Sequence, residues 1–346
     1  MISLKPSQSF LSTHRMTAIG LLLYECHVYM RKRRMATLDS PVQQDSRRTR
    51  IIAIIQALFV TTLWSSSFII IKFGLGEIPP ITYAALRYAF GSLILVILIV
   101  GQKEMRSELR NRSKRWWSAL VFYGIIYIAI TQGTQFLGLL YLPAITFSLI
   151  LNMTPLLVLL LAIPWIGEKP SRLEFGLVIF GIIGVILYFF PLDFAGVSIL
   201  GLVIAFVSLF ANAMSSIVGR AVNRRRDTSP LIITGIMMSV GSVFLLAFSL
   251  MIEPLTPLSP VSWLNILWLA FVNTALAFTL WSRSQRVLRA IDMTLINSTM
   301  MPQIVILSII FLGEFPEYLD WIGIAILVFS VTVVQYIQTK RTNNSQ

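Results

Sequence analysis

An arginine lies where the neighbouring sequence offers it no charged partner. Arg87 stands in the apolar stretch PPITYAALRYAFGSLIL, about two helical turns after Pro80. A charge in apolar surroundings is costly unless it faces a cavity, a partner or backbone carbonyls. The planar fork of a guanidinium suits a carboxylate, so we predict that Arg87 binds an anionic group of a substrate. The alternative is a structural role, by outward snorkelling or by bonding free carbonyls.

Other polar side chains inside apolar stretches are the remaining candidates for contact with a substrate. They are Trp64, Ser66, Gln132, Gln135, Asn152 and Thr154 in the first half, and Asn212, Ser216, Asn273, Asn297 and Ser298 in the second. An indole can stack on a substrate, and hydroxyl or amide groups can hydrogen-bond to it. Such residues also join helices in membranes, at about 0.6 kcal/mol per contact, which is the alternative reading.

Two prolines, Pro155 and Pro302, fall inside apolar stretches at corresponding places in the two halves. Each removes a helical hydrogen bond and frees the carbonyl four residues earlier, at Leu151 and Ser298. Broken helices in matching positions are typical of the binding region of transporters, so we predict a hinge here. A purely structural kink is the alternative.

The composition excludes several kinds of enzyme chemistry. The chain has one cysteine, Cys26, and two histidines, His14 and His27, all near its N-terminus. A Ser–His or Cys–His pair within the apolar body is therefore impossible, as is a Cys-based metal site. We expect no enzyme activity, no metal and no cofactor.

Carboxylates avoid the centres of the apolar stretches. Glu174 and Asp320 stand at the starts of such stretches, and Asp292 stands about one turn inside. A proton-driven exporter of cations would need an embedded acid, so this pattern favours neutral, zwitterionic or anionic substrates. Coupling to a proton or another ion stays open.

The elements that must position these residues are membrane helices. Of the 346 residues 56% are hydrophobic and only 12% are charged, about half the usual soluble share. Stretches of about 20 apolar residues can cross a bilayer as helices. We predict an all-α polytopic membrane protein whose ten helices cover approximately 51–71, 81–100, 117–138, 143–163, 173–189, 198–218, 231–250, 262–282, 290–312 and 319–338.

The basic residues support this count. Every lysine and arginine except Lys72 and Arg87 lies before residue 51, after residue 338 or in alternate loops. This is the positive-inside pattern, and it predicts a cell membrane protein with both termini in the cytoplasm. Contact with the lipid bilayer explains the net charge of +13, so no nucleic acid partner is expected.

The two halves form an internal repeat. WSSSFIIIK at 64–72 aligns with NAMSSIVGR at 212–220, and Pro80 aligns with Pro230. Each half has five spans, an odd number, so the halves must be inserted in opposite directions. We assign 1–50 to a basic, disordered cytoplasmic tail, 51–190 to repeat 1, 198–338 to repeat 2 and 339–346 to a cytoplasmic tail. Met35 is an alternative start.

Several stretches together carry a family resemblance. The first half contains Trp64-Ser65-Ser66-Ser67-Phe68, then PPITYAALRYAFGSLIL and QFLGLLYLPAITFSLILNMTPLL, and the second half has LINSTMMPQIVILSIIFLGEFPEYLDWIGIAILV. They resemble the EamA type of the drug/metabolite transporter superfamily over about 51–338, although the family commonly has glycine where Ser65 stands. The resemblance implies ten helices around a central cavity, and export or exchange of small metabolites.

We therefore expect a secondary transporter of a small, amino acid-like molecule that works by alternating access. Two alternatives from other classes stay open. One is a membrane enzyme acting on lipid-linked substrates, and the other is a receptor or scaffold that transports nothing. The sequence does not indicate the oligomeric state.

Overall fold

The computed structural model describes residues 47–110, 112–166, 171–190, 198–223, 228–254, 256–288 and 290–344. Every regular element in these ranges is a helix, which confirms the all-α fold class. The chain divides into two compact units, and residues 43–160 and 170–346 form the larger one. The expected tail up to residue 46, with Cys26 and both histidines, lies outside the described residues.

Ten helical crossings match the predicted spans. In repeat 1 they are α1 (Arg47–Gly74), α2 (Pro80–Gly101), α3 (Lys114–Tyr141, in three segments), α4 (Ala144–Asn152 and Thr154–Ile166) and α5 (Arg172–Tyr188). In repeat 2 they are α6 (Ile199–Asn223), α7 (Pro230–Ile252), α8 (Pro260–Val287, in three segments), α9 (Ala290–Ser298 and Met300–Leu312) and α10 (Tyr318–Asn344). A short helix, Lys103–Leu109, follows α2.

Nine of these crossings are long and apolar enough to span a membrane, judged over the described residues alone. The tenth, α5, has 17 residues with a high apolar content, ending at Tyr188. Large apolar side chains cover the outside, as on α2, where Ile97 is 62% exposed. Such a surface requires a lipid environment, and the protein is a multi-pass membrane protein.

Equivalent helices of the two repeats pack in opposite directions. Glu253, at the end of α7, accepts hydrogen bonds from the backbone N–H groups of Ile81 and Thr82 at the start of α2. At the other end of the pair, Glu108, just after α2, accepts one from the N–H of Ser229 at the start of α7. The helices α2 and α7 are therefore antiparallel, which is the arrangement expected of inverted repeats.

The helices α5 and α10 are a second such pair, and glycines bring them together. A Cβ on Gly184 would lie 2.9 Å from the carbonyl oxygen of Gly323, and a Cβ on Gly323 would lie 2.5 Å from that of Gly184. Side chains are excluded from both positions, so the two backbones approach closely. Phe180 packs edge-on against Phe329 in the same interface.

Two crossings contain π-helical segments that the sequence did not reveal. Ile125–Gln132 forms the middle of α3, and Phe271–Leu276 forms the middle of α8. Both were predicted as parts of uninterrupted spans. The two segments occupy corresponding positions in the repeats. A π segment widens the helix locally and is frequent at functional sites.

The helices α4 and α9 are interrupted just before Pro155 and Pro302. The breaks fall at Met153 and Thr299. In α4 the hydroxyl of Thr154 donates to the carbonyl oxygen of Leu151, the group that Pro155 leaves without its helical partner. The polar residue beside the proline thus satisfies the freed backbone.

Candidate functional site

Arg87 lies where α2 meets α1 and α8. Its side chain is buried, with 4% of its surface exposed. Nε donates to the hydroxyl of Thr274 at 3.0 Å, and Nη2 donates to that of Ser67 at 3.4 Å. Thr274 can come this near because Gly91, one turn after Arg87, has no side chain; a Cβ there would lie 2.7 Å from the Thr274 methyl carbon.

Aromatic rings form another side of the Arg87 environment. Its Cζ lies 5.1 Å from the ring centroid of Tyr88 and 5.9 Å from that of Phe136. Ring faces attract a desolvated cation, but they do not neutralise it. Among the described residues, no carboxylate lies within 4.0 Å of this guanidinium. The site therefore holds a positive charge that neutral groups surround.

Asn273, in the π segment of α8, joins the same group. Its Nδ2 donates to the carbonyl oxygen of Leu63 and, at 3.1 Å each, to the hydroxyls of Ser66 and Ser67. The side chain is 0% exposed. Its Oδ1 has no hydrogen-bond partner among the described residues. Ser67 thus accepts from both Asn273 and Arg87.

The π segment of α3 reaches this group through Tyr88. The Tyr88 hydroxyl donates to Oε1 of Gln132 at 2.7 Å. Gln135 is buried one turn further along the same crossing, beside Phe136. The structure thus joins Gln132 to Tyr88, the residue next to Arg87. Tyr88 was missed, although its place next to Arg87 was a signal.

Trp64 lies at the meeting of α1 and α8, where it contacts aromatic rings of α8. Its ring centroid is 5.3 Å from that of Phe278 and 5.0 Å from that of Trp281. The side chain is partly exposed. These three rings form an aromatic cluster that Trp64 shares with the second repeat.

Gln303, which follows Pro302, is a residue that the sequence analysis missed. Its Oε1 accepts from the Ser65 hydroxyl at 3.1 Å. Its Nε2 donates to the hydroxyls of Thr61 at 3.3 Å and Thr299 at 3.1 Å. A single amide thus connects the break in α9 with α1. An amide next to a mid-span proline was the available signal.

The remaining candidates lie in other contacts. Asn212 donates from Nδ2 to the Thr154 hydroxyl at 3.0 Å, and its backbone carbonyl oxygen accepts from the Ser216 hydroxyl at 2.9 Å. The first of these contacts joins α6 to the break in α4, and the second lies within α6. Ser298 donates to Oε1 of Gln335 on α10 at 2.7 Å.

Two asparagines beside the helix breaks have no recorded bond to the Arg87 group. Asn152 is partly buried and Asn297 is exposed. In the part of the chain that the structure describes, no cluster of three or more His, Cys, Asp or Glu residues could hold a metal ion.

Comparison with known families gives a match over both repeats. Residues 51–190 and 199–336 each match the EamA-like transporter family. A solved crystal structure aligns over 86% of this chain and 100% of its own, with a TM-score of 0.59 at 17% identity, so the likeness is one of fold.

Curated relatives match this chain over part of its length. The uncharacterized transporter YvbV of Bacillus subtilis (strain 168) is 28% identical over 189 residues, which cover 54% of this chain and 59% of that relative's length. A probable amino-acid metabolite efflux pump of Escherichia coli (strain K12) is 23% identical over 65% of this chain and 75% of its own.

Proposed function

The chain belongs to the EamA-like transporter family, and from this premise we propose that it is a secondary transporter of a small, amino acid-like metabolite. Transport proceeds by alternating access, in which the two repeats rock against each other around a polar site between them. The substrate's carboxylate binds Arg87. No catalytic step and no cofactor are required.

One observation carries this proposal: Arg87 is buried, and neutral groups alone surround it among the described residues. A charge at the centre of a membrane helix costs about 2.5–3.5 kcal/mol on insertion scales. An ion pair with a protein carboxylate would offset this cost in a purely structural role. A substrate carboxylate offsets it only when bound, so the site retains its affinity for an anion.

The position of Arg87 suits transport. It lies on α2 of repeat 1 and bonds Thr274 on α8 of repeat 2, so a movement of one repeat against the other changes its surroundings. The breaks at Met153 and Thr299 give α4 and α9 points at which they can bend.

The substrate class is supported by the name of one relative, the probable amino-acid metabolite efflux pump of Escherichia coli. The pattern of basic loops favours a cell membrane location with both termini in the cytoplasm. Coupling to a proton or another ion is compatible with this scheme.

Uptake into proteoliposomes tests the role of Arg87. With a mixture of the twenty labelled L-amino acids, we expect wild-type protein to give uptake and Arg87→Ala to reduce it by about 10- to 100-fold. Arg87→Lys keeps the charge but loses the fork, so an intermediate rate is expected. The matched control is Ile97→Ala, an exposed position on the same helix.

Two results would contradict the proposal. One is uptake by Arg87→Ala that equals wild type in rate and apparent affinity. The other is wild-type protein that moves no amino acid at all while the purified protein is folded and correctly reconstituted.

A further inference from the structure

The amide of Asn273 is fixed in one orientation. All three acceptors of its Nδ2, at Leu63, Ser66 and Ser67, belong to α1. The amide group is planar, and its oxygen and nitrogen point to different sides of the carbonyl carbon. Because Nδ2 faces these three acceptors, Oδ1 is directed away from them. That oxygen is fully buried and accepts no hydrogen bond among the described residues.

The unpaired Oδ1 of Asn273 is energetically unfavourable and requires an explanation. Leaving one unpaired costs about 1–3 kcal/mol, so folded proteins contain few of them. Exchange of Asn273 for a residue without the oxygen would remove this cost. A ligand that brings its own donor also removes it, while the ligand is bound.

The free oxygen lies near Arg87. The Nδ2 of Asn273 and the Nη2 of Arg87 bond the same Ser67 hydroxyl, at 3.1 and 3.4 Å. With standard amide geometry this places Oδ1 within about 9 Å of the guanidinium. An α-amino acid that makes a hydrogen bond of about 2.9 Å at its carboxylate and another at its ammonium group spans this interval.

We infer that Asn273 determines specificity by accepting a hydrogen bond from the substrate's ammonium group, an inference that rests on the proposed function of Arg87. The site then takes zwitterionic α-amino acids in preference to simple carboxylates. A bare metal ion is a poorer occupant than a zwitterion, because it brings no carboxylate to offset its repulsion from the nearby guanidinium.

The placement of Asn273 links it to Arg87. The residue belongs to the π segment Phe271–Leu276, its side chain is 0% exposed, and it bonds α1. Asn273 and Arg87 bond the same Ser67 hydroxyl, so a movement of one repeat against the other changes the surroundings of both residues together.

Competition in wild-type proteoliposomes tests the inference without any variant. The probes are the best transported of the twenty standard L-amino acids, the carboxylic acid that lacks its amino group, and the amine that lacks its carboxylate. We expect the acid to compete about 10- to 100-fold less well than the amino acid, the loss of one charge-assisted hydrogen bond. Equal competition by the acid would overturn the role of Asn273.

Variants separate this inference from the proposed function. Asn273→Leu should weaken binding of the amino acid and leave that of the acid unchanged, whereas Arg87→Ala should weaken both. Because Asn273→Leu also removes bonds to α1 and can unfold the protein, Asn273→Asp is the second variant. It retains an acceptor oxygen, so we expect the preference for the amino acid to persist.

Each outcome has one meaning. If Asn273→Leu, shown to be folded by its melting curve, weakens binding of the amino acid and of the acid equally, or if Asn273→Asp abolishes the preference for the amino acid, the inference about Asn273 is wrong. If both ligands also depend on Arg87, the proposed function stands. If neither ligand depends on Arg87, the proposed function fails as well.

Discussion

At the scale of single residues, neutral polar side chains are used in groups that share partners. Ser67 accepts hydrogen bonds from both Arg87 and Asn273. The Gln303 amide makes hydrogen bonds with three hydroxyl groups. In a protein surrounded by lipid there is no water at hand to satisfy a polar atom that loses its partner. Through these shared hydrogen bonds the Asn273 amide connects α8 to α1, and the Gln303 amide connects α9 to α1.

Gln303 offers a test of this view that is independent of any substrate. Gln303→Leu leaves Ser65 and Thr61 without this partner, and we expect it to destabilise the protein by about 1 kcal/mol, within the range measured for polar contacts between membrane helices. Thermal unfolding in detergent measures the change. Ile306→Leu, at an exposed position one turn further along α9, is the control.

No difference between Gln303→Leu and this control would show that the amide does not join α9 to α1.

The residue-scale predictions differ in how far the sequence could support them. Arg87, Gln132 and Asn273 were found because a charge or an amide is rare inside an apolar span. The sequence could not show that Ser67 links Arg87 to Asn273, because Asn273 lies far from the other two along the chain, 206 residues after Ser67. Gln303 was missed because Pro302, the residue before it, was interpreted only as a break in the backbone of the helix.

At the scale of elements, the starts of four helices are capped by carboxylates from the opposite repeat. Glu253 caps α2, Glu314 caps α4, Glu108 caps α7 and Glu77 caps α8. The first N–H groups of a helix have no partner within it, and the helix dipole favours a negative charge there. These carboxylates therefore tie the repeats together at their ends.

The cap made by Glu77 predicts a pH dependence. Hydrogen bonds from Ser262 and Ser259 lower the pKa of the Glu77 carboxyl from its ordinary value of 4.5. A lowered folded-state pKa means that the stabilisation is fully present above pH 4.5 and is lost as the pH falls below it toward the folded-state value.

The difference in melting temperature between wild type and Glu77→Gln measures the stabilisation by the Glu77 carboxylate. The other acidic residues are present in both proteins, so their titration cancels. We expect a positive difference at pH 7 that shrinks as the pH is lowered below 4.5. Glu104→Gln, on the short helix after α2, is the control and should show no such trend. A difference that grows with acid would contradict the assigned cap.

The element boundaries were predictable, but the interior irregularities were only partly so. Prolines indicated the breaks in α4 and α9 because Pro155 and Pro302 cannot donate a backbone hydrogen bond. Nothing in residues 125–132 or 271–276 distinguishes a π segment from an ordinary apolar helix. The carboxylate caps also escaped prediction, since each depends on a contact across the two repeats.

At the scale of the whole molecule, opposite insertion of the repeats underlies everything said of the site. It was predictable, because five spans per half is an odd number and the basic loops alternate. The antiparallel packing of α2 with α7 agrees with it. In this arrangement Arg87 and Ser67 of one repeat bond Thr274 and Asn273 of the other.

The loops after α2 and α7 offer the most direct measurement of this arrangement. In a protein with Cys26→Ser, single cysteines are introduced by Arg106→Cys and Thr256→Cys, at exposed and corresponding positions of the two repeats. Labelling in intact cells with a membrane-impermeant maleimide should modify the Thr256→Cys protein, and the Arg106→Cys protein only after the membrane is opened. Labelling of both proteins from the same side would contradict the inverted repeats and the shared site with them.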